Sequence, residues 1–343
     1  MAIIHIVLLI GCAAAIYLAC EWFVNAVEWL GVRLNMGTLA IGTILAAIGT
    51  ALPESVVTLV AVTMGNSPAS KDIGVGAAMG GPLVLATIAY GITGWMLIRR
   101  KRMVAAINGK SRGSDNRDLL TDVDLSRLPT DQTWFLSIFI VKVSLGLVAF
   151  AYKPWFGLLF FAAYGAYFFR EMRADADAHS SADLEPLKLQ PNHATPSGWA
   201  VLVQTLATLG IIFGASQLFV AQLEWAGPAL GLPAAVTALL LSPIATELPE
   251  VMNAIIWVKQ GKTSLALANI SGAMMIQATV PSGLGLLFTP WRFDGPLLLS
   301  GVVTIIGILY LLWLLRTRRF TSPRLALSTG FYAIFAVGLV FLV

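Results

Sequence analysis

Ten apolar segments, each about as long as a membrane-spanning helix, follow one another along this chain. Charged residues make up 12% of the 343 residues, and the mean hydropathy is +0.81. An ordinary soluble domain carries about 25% charged residues. The pattern predicts an all-α membrane protein embedded in the lipid bilayer and excludes a soluble domain. The segments are roughly 3–30, 37–64, 72–98, 133–152, 155–171, 198–223, 233–258, 263–289, 296–315 and 324–343.

The pattern Thr-x-Leu-Pro-Glu occurs twice within these segments, at 50–54 and 246–250. The two copies are 196 positions apart, and matching residues upstream keep the same spacing. Downstream, Gly80 matches Gly272 at a spacing of 192, because the first half has a loop four residues longer. A match of this length indicates a duplicated unit, which is typical of many secondary transporters.

Each half contains five predicted spans, an odd number, so the second half enters the membrane inverted relative to the first. We therefore expect ten transmembrane helices in two inverted five-helix repeats. The predicted organisation is a first-repeat core at 1–98 with its motif within about 37–98, a charged linker at 99–132, the rest of the first repeat at 133–171, an inter-repeat linker at 172–197, and a second repeat at 198–343 with its motif within about 233–289.

Basic residues set the expected orientation. Of the 22 Lys and Arg residues, 18 lie on one side of this topology and 3 on the other. Because cytoplasmic loops are enriched in Lys and Arg, the sequence predicts an inner-membrane protein with both termini outside the cytoplasm. Both linkers are then cytoplasmic, solvated and partly flexible. Since the basic residues flank apolar runs, the pI of 9.1 does not indicate a nucleic-acid partner.

The duplicated motif places costly groups at membrane depth. A proline lacks an N–H and frees the carbonyl four residues earlier, while a carboxylate in hydrocarbon is rare and mostly functional. Carboxylate, hydroxyl and carbonyl oxygens are hard ligands that suit Na⁺ or Ca²⁺. The expected cation ligands are the carboxylates of Glu54 and Glu250, the hydroxyls of Thr50 and Thr246, and the freed carbonyls of Gly49 and Ala245.

The two halves are not equivalent at this motif. Glu247 adds a third carboxylate, and its counterpart in the first half is Ala51. The glycine-rich segments that follow each motif should pack closely against it, and the second adds the candidate ligands Asn269 and Ser271, with Gln277 beyond them.

Other charged residues lie within apolar segments away from the motif. Lys142 in the fourth segment has no basic counterpart. It is either a counter-ion for the empty acid cluster or a structural or snorkelling lysine. Glu28 and Glu224 lie near segment ends and are expected to anchor their helices at the interface.

At these residues the chain resembles the calcium/cation antiporter superfamily, which includes the Na⁺/Ca²⁺ exchangers. Members carry G-T-S-L-P-E followed by G-N-x-x-G-S-N in each half, and here the matches are 49–54 and 245–250, then Gly76, Gly80, Asn269 and Gly272. The resemblance implies Glu54 and Glu250 as central ligands, assisted by Thr50 and Thr246. The chain departs from the family pattern at five places: Ala51, Glu247, Ala77, 81–82 and 273–274.

The predicted function is secondary cation antiport, with Na⁺/Ca²⁺ exchange first and H⁺-coupled cation exchange by the same site as the alternative. The transported ions are then Na⁺ and Ca²⁺, or H⁺ in the alternative, with no cofactor and no enzymatic activity. A non-transporting membrane sensor or scaffold is a further alternative. An intramembrane hydrolase is disfavoured, because no His-Glu-x-x-His string or comparable catalytic motif is present.

Overall fold

The protein is described by a computed structural model that covers residues 2–63, 68–107, 118–121, 123–174, 184–229, 231, 240 and 242–342. These residues form helices joined by short connections. The helices are α1 Ala2–Arg33, α2 Thr38–Ala40, α3 Ala47–Thr63, α4 Pro68–Val84, α5 Tyr90–Ile107, α6 Leu128–Leu147, α7 Phe156–Ala174, α8 Gly198–Ala229, α9 Ser242–Thr246, α10 Leu248–Gln260, α11 Thr263–Phe288, α12 Gly295–Arg316, α13 Ser322–Ala326 and α14 Thr329–Val340.

Two π-helical segments interrupt otherwise continuous helices. Ile41–Ala46 joins α2 to α3, and Leu85–Ala89 joins α4 to α5. Each lies one to two turns from a sequence feature of interest, the first before the Thr-x-Leu-Pro-Glu motif and the second after the glycine-rich segment. Such π segments occur frequently beside functional sites, because the extra residue re-aims the side chains around it.

Helix α11 lies at the centre of the molecule, and most of its residues are buried. It packs against α3, α4, α6, α7 and α10. Gly272 makes its closest approach to the backbone of Thr43 in the first π segment, where any side chain would collide. The small residues of α11 therefore let the first half of the chain pack directly on the second.

Helices α1 and α8 pack side by side at the periphery. Each is 32 residues long, and large apolar side chains on both are exposed, as expected of helices that face lipid. Among the described residues, six helical stretches are long and apolar enough to cross a membrane: Ile4–Arg33, Gly74–Val104, Gly198–Phe219, Thr263–Phe288, Gly295–Arg316 and Ser322–Val340.

The inter-repeat linker is more ordered than a solvated connector would be. Its residues from 184 onward lie on α1 and α8, and Leu187 is fully buried between them. Asn25 donates to the Pro186 carbonyl at 3.2 Å and accepts from the Lys188 N–H at 3.0 Å. Asn25 thus holds this part of the linker on α1, where the sequence predicted a solvated, partly flexible connector.

Candidate cation site

The second copy of the motif forms a break between two helices. Glu247 lies between α9 and α10 and has non-helical backbone angles (φ −85°, ψ 4°). Pro249 cannot donate to the Ala245 carbonyl four residues earlier, which favours the break, whereas the matching Pro53 lies inside the continuous helix α3. Glu250 lies in the first turn of α10. Both glutamates are buried, with exposed fractions of 0% and 1%, and they share a helix N-terminus, which favours negative charge.

Three helices meet at the carboxylate of Glu247. Gln277 of α11 donates its Nε2–H to Glu247 Oε1 at 2.7 Å. Gly81 of α4 lies against the same oxygen, since a Cβ built on it would be only 2.6 Å from Oε1. The neighbouring Gly80 approaches the ring of Pro243 just as closely. The glycine-rich segment of the first half therefore packs directly on the motif of the second half.

Two asparagines surround Glu250. Asn269 of α11 donates Nδ2–H to the Glu250 carbonyl oxygen at 3.3 Å, and its own Oδ1 is buried without a hydrogen-bond partner among the described residues. Asn253 lies one turn after Glu250 and is fully buried, and neither of its amide atoms has such a partner in the described part of the chain. Because buried amides are nearly always hydrogen-bonded, the two amide oxygens, Asn253 Oδ1 and Asn269 Oδ1, are suited to bind a cation.

The first copy of the motif lies in α3. The Thr50 hydroxyl is buried and donates to the Ala46 carbonyl at 3.0 Å, and Thr246 donates to the Pro243 carbonyl at 3.2 Å. Gly49 packs against the ring of Phe23. The side chain of Glu54 lies outside the described part of the structure.

Ser271 belongs to a different hydrogen-bond network. Its Oγ accepts from Gln132 Nε2 at 3.3 Å, and the same amide donates to the Tyr90 hydroxyl at 2.7 Å. The structure therefore groups Glu247, Glu250, Asn269 and Gln277, whereas the described bonds of Ser271 connect it to α5 and α6. Gly81 and Asn253 were not predicted as site residues. A polar amide three residues after Glu250, inside an apolar run, is the sequence signal that could have identified Asn253.

Lys142 of α6 is fully buried, so it does not snorkel to an interface. Its Nζ donates to the Ala78 carbonyl of α4 at 2.5 Å and lies 5.1 Å from the centre of the Phe139 ring. The Ala78 carbonyl is the one that Pro82 leaves without its usual helical donor.

Two further clusters of buried charge are internally paired. Glu28 accepts from Trp257 Nε1 at 2.9 Å and from Lys262 Nζ at 2.5 Å, which corrects the expectation of an interfacial anchor. The side chain of Glu224 lies outside the described part of the structure.

The second cluster joins the start of α6 to the end of α7. Arg170 pairs with Asp131 and with Glu171, and Glu171 also lies 3.7 Å from Arg127. Since opposite charges meet in both clusters, we assign them to holding helices together.

Comparison with known proteins assigns the chain to a family. The family model of the sodium/calcium exchanger protein matches residues 4–172 and 199–343. The chain belongs to the sodium/calcium exchanger family. As a member, it is a multi-pass membrane protein of a family of cation antiporters, and the expected superfamily is confirmed.

Individual relatives support the same assignment. The chain is 25% identical to the Escherichia coli (strain K12) inner membrane protein YrbG over 325 residues, which is 89% of this chain and 86% of YrbG. Its fold is similar to that of the sodium–calcium exchanger NCX_Mj soaked with 2.5 mM Na⁺ and 0.1 mM Sr²⁺, with a TM-score of 0.72 at 19% identity over 97% of this chain and 98% of that one. NCX_Mj soaked with zero Na⁺ and Ca²⁺ gives the same TM-score over 99% and 100% of the two chains.

Proposed function

We propose that this family member is a secondary antiporter that exchanges Na⁺ for Ca²⁺ across the inner membrane. The observation that carries the proposal is the pair of fully buried carboxylates, Glu247 and Glu250, on one turn of a broken helix. Buried carboxylates without a bound cation or proton are costly, so the site favours ions that neutralise them. Gln277 donates to the carboxylate of Glu247 and Asn269 to the main-chain carbonyl of Glu250, so polar groups of α11 already line this part of the proposed site.

The proposed site combines both halves of the chain. Glu54, Glu247 and Glu250 supply carboxylate oxygens, Thr50 and Thr246 hydroxyl oxygens, and Gly49 and Ala245 carbonyl oxygens. Asn269 supplies an amide oxygen. Ser271, which the sequence also predicted, is not included, because its described hydrogen bond is with Gln132. Oxygen ligands of this kind bind both Na⁺ and Ca²⁺, and the type of ligand atom alone does not select one ion over the other.

The proposed topology has ten spans in two inverted five-helix repeats. The repeats comprise 1–98 with 133–171, and 198–343, with both termini outside the cytoplasm and the linkers 99–132 and 172–197 inside. Neutralised carboxylates would let the peripheral α1–α8 pair move past the core that holds α11, which exposes the site alternately to each side. Either ion then leaves on the side opposite to its entry.

Proton coupling is the second candidate, and the asymmetry at Glu247 favours it. A third carboxylate stands where the first half has Ala51, and it already holds a hydrogen bond with Gln277. A proton on Glu247 could replace one Na⁺, because either one removes a charge from a shared pocket of low polarity.

Uptake of labelled Ca²⁺ into proteoliposomes tests both candidates. We expect uptake when Na⁺ is loaded inside, and loss of at least about 90% of it in Glu54→Gln and Glu250→Gln, because each change removes a proposed ligand charge. Glu185→Gln in the inter-repeat linker is the matched control, since that side chain is exposed. Uptake driven by a pH gradient without Na⁺ would establish the proton-coupled alternative. Wild-type rates in both site variants would refute the site.

A further inference from the structure

The ammonium group of Lys142 is bound by a carbonyl oxygen and an aromatic ring, groups that also attract small cations. Its ammonium contacts a main-chain carbonyl, Ala78 O at 2.5 Å, and the face of the Phe139 ring at 5.1 Å. A buried ammonium requires compensating negative charge or dipoles close by. The carbonyl supplies a dipole only, so the compensating charge must come from elsewhere.

The geometry of α4 places that ammonium near the proposed site. Ala78 and Gly81 are three residues apart on this helix, so they lie on the same side and are separated by roughly 4.5 Å along the axis. Gly81 lies against the carboxylate of Glu247. The Lys142 ammonium and the Glu247 carboxylate therefore contact neighbouring turns of one helix.

The two halves of the sequence differ at Glu247 by one acid and at Lys142 by one base. Glu247 occupies the position of the repeat that Ala51 occupies in the first half, so the motif of the second half has one more acid. Lys142 has no counterpart either, because α12 carries no Lys or Arg before its final residue, Arg316. One extra acid in the second half is thus matched in number by one extra base in the first half.

We propose that Lys142 is a built-in cation of the site, which permanently offsets one carboxylate and reduces by one the number of monovalent ions that the site binds. The inference rests on the proposed antiport function and names a determinant of its stoichiometry. The positive charge of Lys142 also weakens the binding of every other cation nearby, since like charges repel strongly in a pocket of low polarity.

A purely structural role would be to give the Ala78 carbonyl a donor in place of the missing Pro82 N–H. Two variants separate the roles. Lys142→Gln keeps a donor without the charge. The double change Lys142→Met with Pro82→Ala removes the charge and restores the main-chain donor to Ala78. Pro82→Ala alone is the reference for the double variant, and Lys142→Arg retains the charge.

The measurement is the Na⁺ dependence of two quantities: labelled Ca²⁺ flux in proteoliposomes and thermal stability of the purified protein. In both charge-free variants we expect the Hill coefficient for Na⁺ to rise by about one and the half-saturating Na⁺ concentration to fall roughly tenfold, because a positive charge near the ligands is lost. Lys142→Arg should match the wild type. A structural lesion would lower stability without tightening Na⁺ binding.

The proposal is overturned if both charge-free variants keep the wild-type Hill coefficient and half-saturation. The single variant Lys142→Met completes the set. The proposal is also overturned if this variant loses stability that the double variant regains, while Na⁺ binding stays unchanged in both. The proposed antiport function fails separately, if the wild-type protein shows no flux under either gradient. In that case the Na⁺-dependent stability still reports on Lys142.

Discussion

Gly81 is the position at which a single methyl group should disturb the proposed site most directly. In Gly81→Ala the new Cβ would lie 2.6 Å from Glu247 Oε1 and 2.9 Å from Gln277 Cδ, whereas ordinary contact begins at 3.4 Å. The carboxylate must therefore retreat by 0.8 Å and the amide by 0.5 Å, the differences between those distances. Ligand distances in ion sites tolerate only about 0.2 Å.

The energetic cost follows from overpacking. Forcing a methyl group into a well-packed interior typically costs about 1–3 kcal/mol. If that cost falls mainly on the ion-bound state, Ca²⁺ and Na⁺ affinity should drop by roughly tenfold to a hundredfold, since 1.4 kcal/mol corresponds to a factor of ten. The fold should survive, because the atoms that collide are the ends of two side chains and not backbone.

The assay is the concentration dependence of labelled Ca²⁺ uptake in proteoliposomes, together with the thermal midpoint of the purified protein. Gly165→Ala is the matched control: it is also a helical glycine, but nothing lies within 4 Å of its added Cβ. We expect the control to be neutral or slightly stabilising, as alanine is the better helix former. Wild-type ion affinity in a folded Gly81→Ala protein would show that Glu247 does not bind the transported ion.

Two further substitutions separate ion binding from stability. Asn253→Leu should raise the thermal midpoint measured without ions, because it removes two buried amide atoms that lack partners among the described residues. The same change should lower the affinity for Ca²⁺ or Na⁺. A destabilised protein with unchanged affinity would contradict this prediction. Glu28→Gln should do the opposite. It leaves Lys262 without its charge partner at 2.5 Å, which costs about 1–3 kcal/mol of stability. The Hill coefficient for Na⁺ should stay unchanged. An altered coefficient at wild-type stability would contradict the assignment of Glu28 to a structural ion pair.

Six of the ten predicted spans coincide with described helices that are long and apolar enough to cross a membrane, but some helix ends are misplaced. The predicted third span stops at residue 98, whereas α5 continues to Ile107. The helix leaves the apolar run at Arg99 while its backbone hydrogen bonds continue, because basic residues are good helix formers in water. Hydropathy therefore marks where a helix leaves hydrocarbon, and not where it ends. The π segments have no comparable signal in the composition of 41–46 or 85–89.

The sequence predicts the residues of the proposed site better than their arrangement. Pro249 favours a helix break beside Glu247 and Glu250 because it lacks a main-chain donor, but the matching Pro53 lies inside the continuous helix α3, so the break also depends on packing. The identity of the glutamates' neighbours depends on tertiary packing. Nothing in the order of residues says that Gly81 and not another glycine of that segment faces Glu247. Likewise, the partners of Glu28 lie 229 and 234 positions away along the chain, so its burial could not be read from its place near a helix end.

Helix α4 and the helices on which it packs contribute different chemistry to the proposed site, and this affects how ion binding couples to movement. Helices α9, α10 and α11 supply carboxylates and amides, whereas α4 supplies bare backbone at Gly80 and Gly81. Pro243 and Glu247 leave no room for a Cβ at these two glycines, so the two halves pack closely there. Separation would expose Glu247 to water and restore its hydration. An ion that neutralises Glu247 removes the gain from hydration, so occupancy should favour the packed arrangement of α4 against α9 and α10.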